Sequence, residues 1–213
     1  MMRPTLRTDR LALRQIEPTD AEPIAALIGD WDVARMLARV PHPYMAADAE
    51  QFIARRLATP ISPDDIFYAI VLDGAFVGGV GNGRNRSGDA NIGYWLGKPY
   101  WGRGLMTEAV CAVTSEYFAA APDAEGLASG VFADNPASMA VQRKLGFEVV
   151  GEGLLRCIAR GADVPHYDMW LPRARWGPLP PASSSARFCP TPWQRLLFAL
   201  RWRLPGLFCW SLL

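Results

Sequence analysis

The segment Tyr94–Ala109, Y-W-L-G-K-P-Y-W-G-R-G-L-M-T-E-A, constrains this chain more than any other. A strand-like run ends at Leu96, a turn carries Gly102 and Gly104, and a helical spacing of Val110, Val113, Thr114 and Tyr117 follows. Glycine lets the backbone approach a ligand closely and take dihedrals closed to other residues. The first turn of a helix offers free N–H groups at the positive end of its dipole, a site for phosphate, and Arg103 adds charge. Neither a P-loop (no G-K-[ST] follows) nor a dinucleotide fingerprint (the third glycine is missing) fits. Alone, the pattern also suits a simple tight turn.

The flanking sequence predicts a mixed α/β sheet. Leu11 and Leu13 alternate with polar neighbours as in a strand. Thr19-Asp-Ala-Glu22 matches a capping box opening a helix through about Ile28. A second helix spans roughly Ala46 to Leu57, with Phe52, Ile53 and Leu57 on one face. Ile66–Leu72 and Phe76–Val80 read as strands joined by Asp73-Gly74, a strong hairpin signal. Gly81 to Gly88 reads as a connection, Asn91–Leu96 as a strand and Thr107–Ala120 as a helix. Leu127–Ala133 is a short strand. Asn135-Pro136 opens another helix as N-cap and first residue, and Gly146 closes it. Two further strands cover about Phe147–Arg160 and Tyr167–Leu171. Hairpins combined with crossovers exclude a purely parallel sheet.

Charge divides the chain. Residues 1–171 carry 16 basic and 21 acidic side chains, while six arginines and no acidic residue lie beyond. The overall charge of +1 gives no sign of a nucleic-acid partner. From Gly177 to Ser185 the chain reads as a flexible linker. After it, Trp193, Leu196, Leu197, Leu200 and Leu204 form an apolar stripe at helical spacing. A poorly ordered extension or a reading-frame change is preferred there to a membrane-surface or partner-docking helix, and Arg201, Arg203 and Pro205 interrupt the apolar run of a membrane span. The boundaries expected are thus a domain over 1–172 and a linker and tail over 173–213. Four cysteines without ligand-like spacing, two distant histidines and no signal peptide predict reduced thiols in a cytoplasm and no metal.

The segment resembles the coenzyme A pyrophosphate loop of GNAT acetyltransferases. It especially resembles the branch that includes ribosomal-protein alanine and serine N-acetyltransferases, where Y-W-G-x-G-x-x-T-E-A is usual. Three more segments carry the resemblance in order: Leu6–Arg14, Ala90–Trp95, and the N-x-x-S…K-L-G-F of Ala133–Phe147. It covers about residues 5 to 172. It implies the GNAT fold, with a mostly antiparallel sheet of six to seven strands flanked by helices, and acetyl-CoA as acyl-donor cosubstrate. The implied reaction is direct attack of a primary amine, a protein N-terminus or a small molecule, on the thioester. The chain would act as a monomer or homodimer. A binding module on the same fold, without turnover, is the alternative.

The resemblance also implies roles. Trp101, Gly102, Arg103, Gly104, Leu105, Met106 and Thr107 would hold the pyrophosphate, largely through backbone amides. The backbone of Trp95, Leu96 and Gly97 would bond the pantetheine arm, at a strand edge splayed from its neighbour. Asn135 would lie beside the pantetheine, although Asn before Pro is also simply a good N-cap. Ser138 would stand near the sulfur as proton donor. Lys144, with Arg143, would meet the 3′-phosphate or answer the helix dipole. No general base is evident. Glu108 suits a dipole role at its helix start. His166, with Asp163 near the final hairpin, has a suitable ordinary pKa, although one histidine in a loop is more often just exposed, and a water relay is an equal rival. Tyr94 would line the acceptor pocket or pack in the core.

Overall fold

The Asp73-Gly74 turn has positive φ at both positions, 50° and 83°, the geometry that matches the twist of a two-residue hairpin. It joins β3 (Ile66–Leu72) to β4 (Ala75–Arg84). In the computed structural model, which describes residues 5–58, 65–85 and 87–176, these strands sit inside one eight-stranded sheet. Its order is β1-β2-β3-β4-β5-β6-β8-β7. The other strands are β1 (Leu6–Arg7), β2 (Leu11–Arg14), β5 (Ala90–Leu96), β6 (Gly126–Phe132), β7 (Glu148–Cys157) and β8 (Ala162–Pro172). Every neighbouring pair is antiparallel except β5 and β6, which are parallel.

The count of eight exceeds the expected six to seven, because the opening segment folds back on itself. Leu6 pairs with Leu13 across a turn at Thr8–Arg10. A second difference lies in β4, which continues to Arg84 rather than ending at Val80. Close packing explains the glycines there: a Cβ at Gly79 would meet the Phe67 ring at 2.3 Å, and one at Gly81 the Ile66 carbonyl at 2.1 Å. At these two positions the strand leaves no room for a side chain.

Among the described residues five α-helices flank the sheet: α1 (Ala21–Ile28), α2 (Trp31–Ala34), α3 (Ala46–Ala58), α4 (Leu105–Ala120) and α5 (Pro136–Lys144). The short α2, capped by Asp30 accepting from the Asp32 N–H at 2.8 Å, was not expected. The capping box before α1 also sits elsewhere. Asp20, not Glu22, reaches back and accepts the Glu17 N–H at 2.8 Å, held there by a two-toothed pairing with Arg14. Leu105, Val110, Val113 and Phe118 of α4 seal one face of the sheet. Ile24, Ile28, Phe52 and Ile53 seal the other. Arg173 closes the described chain by stacking over Phe118 at 4.8 Å, with Trp176 against the same ring. No described helix is long and apolar enough to cross a membrane. The linker and apolar stripe predicted beyond Trp176 lie outside the described residues.

Candidate active site

Parallel strands β5 and β6 register at one pair only, Asn91 with Ala128. Ser129 Oγ donates to the Ile92 carbonyl at 3.0 Å, and beyond that rung the strands part. Antiparallel pairing alternates the direction of backbone groups. The Gly97 N–H donates to the Val77 carbonyl at 2.9 Å, so Trp95 and Gly97 face β4, while the N–H and C=O of Tyr94 and Leu96 turn toward the gap. Of the edge predicted to bond the pantetheine, only the flanking Tyr94 and Leu96 turn their backbone groups toward the gap, and Trp95 and Gly97 do not. Trp101 reinforces that edge: its indole N–H donates to the Leu96 carbonyl at 2.7 Å.

The gap opens into a cavity of about 640 Å³ that runs through the sheet. On the α4 side it is lined by Gly102, Gly104, Leu105, Met106 and Thr107, together with Asn135, Ser138 and, at its mouth, Lys144. Gly102 and Gly104 both have φ of +74°. Gly104 is the N-cap of α4 and supplies no side-chain cap, so the first N–H groups of a sixteen-residue helix are left for an anion. No atom lies within 4 Å of a Cβ built at Gly102. Glycine is needed there for its dihedral, and the space beside it is open. A left-handed cradle, a bare helix start and a free strand edge in one cleft fit a pyrophosphate with a pantetheine arm. The Arg103 side chain is exposed and does not line the cavity. Its carbonyl instead accepts from Arg10 Nη1 at 2.9 Å. Glu108 accepts from Thr8 Oγ at 2.5 Å and from Arg10 Nε at 2.7 Å, which occupies it structurally.

Ser138, the third residue of α5, gives its N–H to Asn135 Oδ1 at 3.0 Å. Asn135 is thus a working N-cap and a cavity wall at once. Ser138 Oγ lies 2.9 Å from the Tyr94 hydroxyl. Burial pushes that phenol up to about 12.

His166 stands across the cleft. It is no exposed loop residue: it sits within β8, opposite Phe132 of β6, and is 5% exposed. Register supplies what the sequence reading missed. Asp168, two residues on and so on the same face, places Oδ1 3.4 Å from His166 Nδ1, close but without hydrogen-bond alignment, since that oxygen has no partner. His166 Nε2 also has none. Burial drives the histidine down to about 4 and the aspartic acid up to about 6. Asp163 lies apart, exposed and 3.8 Å from Arg156.

The remaining wall comes from Val33 and Arg35–Arg39. Arg160 holds this segment in place, donating to the Arg35 carbonyl at 2.6 Å and to both oxygens of Asp134. Nothing in its local sequence marks Arg160, because its partners are more than twenty positions away. Among the described residues no group of three or more metal-ligating side chains comes together.

Comparison with known proteins agrees with this geometry. The sequence profile of the acetyltransferase (GNAT) domain matches residues 10–148. No curated protein matches the chain. Among solved structures, the ribosomal-protein-S5-alanine acetyltransferase of Vibrio fischeri is similar at 21% identity and a TM-score of 0.67, over 83% of this chain and 100% of that one. RimJ of Mycobacterium smegmatis, in complex with CoA-disulfide, matches at 21% and 0.66, over 77% and 82%. The microcin C7 self-immunity acetyltransferase MccE, in complex with acetyl-CoA and AMP, matches at 21% and 0.67, over 78% and 93%. At these identities the structures attest the fold, and the profile over most of the chain attests the family. The chain belongs to the GNAT acetyltransferase family and is an acetyl-CoA-dependent N-acetyltransferase.

Proposed function

We propose that this enzyme acetylates an α-amino group, that of a protein N-terminus or a small amine of similar basicity, by direct attack within a ternary complex. The parting of β5 from β6 after a single pair carries the reading. It makes one cavity continuous from the Gly102–Thr107 loop to His166, so that donor and acceptor meet in the sheet.

Acetyl-CoA supplies the acetyl group as an activated thioester. The amides following Gly104 and the Thr107 side chain hold the pyrophosphate, with Lys144 at the mouth beside the remaining phosphate. The Leu96 N–H, at the splayed edge, bonds the pantetheine arm and polarises the thioester carbonyl. Asn135 walls the same channel. Ser138 hydrogen-bonds the departing sulfur. His166 Nε2 receives the acceptor proton, with Asp168 favouring the tautomer that keeps Nδ1 protonated.

Electrostatics favours the α-amine. The acceptor wall is mainly apolar (Val33, Met36, Leu37, Phe132 and Leu155), and Asp134 is already committed to Arg160. Such a wall disfavours a buried cation. An α-amino group, with an ordinary pKa of about 7.7–8.0, loses its proton far more readily than a lysine at about 10.4. A ribosomal-protein-S5-alanine acetyltransferase among the proteins of similar fold supports the same reading.

The test is a paired peptide panel. One peptide carries a free N-terminus and no lysine; its partner has a blocked N-terminus and one lysine. Coenzyme A release is expected to be faster with the free N-terminus at pH 7.5 by up to about two hundredfold, the difference in free-base fraction. Preference for the lysine peptide would refute the acceptor assignment. Binding of acetyl-CoA without turnover on any amine would leave a binding module in its place.

A further inference from the structure

Tyr94 sits on β5 in the middle of the splayed edge, with its ring packed into the α4–α5 core. Its hydroxyl lies 2.9 Å from Ser138 Oγ and 3.4 Å from the Ser138 carbonyl. Both side chains line the cavity. One helical turn along α5, the fully buried Gln142 donates from Nε2 to the Gly130 carbonyl at 3.1 Å, and its amide stands beside the phenol. The tyrosine hydroxyl is therefore enclosed by fixed polar groups within an apolar core.

A serine hydroxyl has one proton to give and can accept on its oxygen. A phenol is the stronger acid of the pair, and so the better donor toward an aliphatic hydroxyl. When Tyr94 donates to Ser138 Oγ, the serine proton is released for a third atom on the cavity side.

We propose that Tyr94 is a positioning residue for the leaving group: it donates to Ser138 Oγ and thereby directs the single Ser138 proton at the thioester sulfur. The inference rests on the placement of Ser138 near the sulfur and adds to it a residue from the central strand. In the step, the acceptor nitrogen forms the C–N bond with its lone pair. The C–S bond breaks and its electrons go to sulfur. The nitrogen proton passes to His166 and on to water. Sulfur accepts the Ser138 hydrogen bond, which Tyr94 strengthens as charge builds, and water supplies the proton that completes the thiol. Tyr94 keeps its own proton throughout.

The experiment compares wild type with Tyr94→Phe, Ser138→Ala and the double variant. Each single change is expected to lower kcat by about tenfold to a hundredfold, the range for a hydrogen bond to a charged group, with KM for acetyl-CoA within about twofold. The double variant is expected to match Ser138→Ala alone. A second readout is the pKa of coenzyme A thiol bound to the enzyme, followed by ultraviolet thiolate absorbance. Wild type lowers it, and Tyr94→Phe returns it toward the free value, which a merely structural tyrosine would not do. Wild-type kcat and thiol pKa in Tyr94→Phe, with both lost in Ser138→Ala, would overturn this inference and leave the serine assignment standing. Wild-type behaviour of Ser138→Ala would remove the serine assignment and this inference together. Should Tyr94→Phe fail to fold, 3-fluorotyrosine at position 94 preserves the packing and makes the hydroxyl a stronger donor. It is expected to lower the bound thiol pKa below wild type, and an unchanged value overturns the proposal.

Discussion

At the scale of single residues, His166 and Asp168 are pushed in opposite senses by the same burial. Neutral His166 is favoured in the fold, at about 4 against an ordinary 6.5. Between those values the unfolded chain binds a proton that the folded chain refuses, so this contribution to stability is present above 6.5 and is lost as pH falls toward 4. Asp168 titrates at about 6 in the fold against 3.8. There the folded chain binds the proton first, so its contribution is present below 3.8 and is lost as pH rises through 6. The two slopes oppose each other across the shared window. Single substitutions are expected to separate them in denaturant melts at stepped pH. The stability of Asp168→Asn relative to wild type should rise with pH between about 4 and 6, and that of His166→Asn should fall. The same variants test catalysis. His166→Asn is expected to cost kcat/KM about a hundredfold or more, the usual scale for a general base. Asp168→Asn should erase the acid limb near pH 6. Parallel stability curves for all three proteins would mean that the pair is not buried as described.

At the scale of elements, what was legible is what the chain states locally. Ile66–Leu72 is the strand its β-branched run predicts, and Asp73-Gly74 is the turn its dihedrals demand. Asn135-Pro136 caps a helix, and Gly146 ends it at φ +93°. The extension of β4 through Gly81–Arg84 was illegible because its glycines answer to Phe67 and Ile66 on the neighbouring strand, which local sequence does not display. His166 looked like a loop residue because the hairpin turn lies at Ile158–Gly161, so that β8 begins earlier than its strongest apolar run. The linkage of motifs was equally hidden. Glu108 reads as a dipole partner, yet it anchors Thr8 and Arg10 from the first turn of the chain. Arg10 then pins the Arg103 carbonyl between two left-handed glycines, and in this way shapes the pyrophosphate loop from the far end of the sheet. Arg10→Ala is expected to weaken coenzyme A binding about tenfold by calorimetry while kcat at saturation stays within about threefold. Its effect on stability should stay under about 1 kcal/mol, because the Arg10 side chain is 46% exposed and its ion pair is correspondingly screened. Unchanged affinity would show that the loop keeps its shape unaided.

At the scale of the whole molecule, the sheet is two half-sheets, β1–β5 and β6-β8-β7, that share one backbone pair. Something else must hold the cleft at a fixed width. The turn after β7 does so on the acceptor side: Ile158 N–H donates to the Ala38 carbonyl at 3.0 Å, and Arg160 Nε to that of Arg35 at 2.6 Å. The Arg160 guanidinium lies over Phe132 at 5.3 Å and grips Asp134, holding that carboxyl below its ordinary range. One side chain thus ties the segment after α2 to the start of α5 across the gap. Arg160→Ala removes the fork, leaving Asp134 with Arg35 at 4.0 Å. The expected cost is about 1 kcal/mol of stability, chiefly from the hydrogen bond to the Arg35 carbonyl, because Asp134 is 46% exposed and its ion pair is correspondingly screened. Because the bridge spans the acceptor wall and not the Gly102–Thr107 loop, KM for the amine should rise about tenfold or more while acetyl-CoA affinity holds. Arg160→Lys keeps the charge without the planar fork, so it should recover stability in part and KM hardly at all. Equal losses in both substrates would mean that the two half-sheets move as one body and that cleft width is set elsewhere, with the packing of α4 on α5 as the remaining tie.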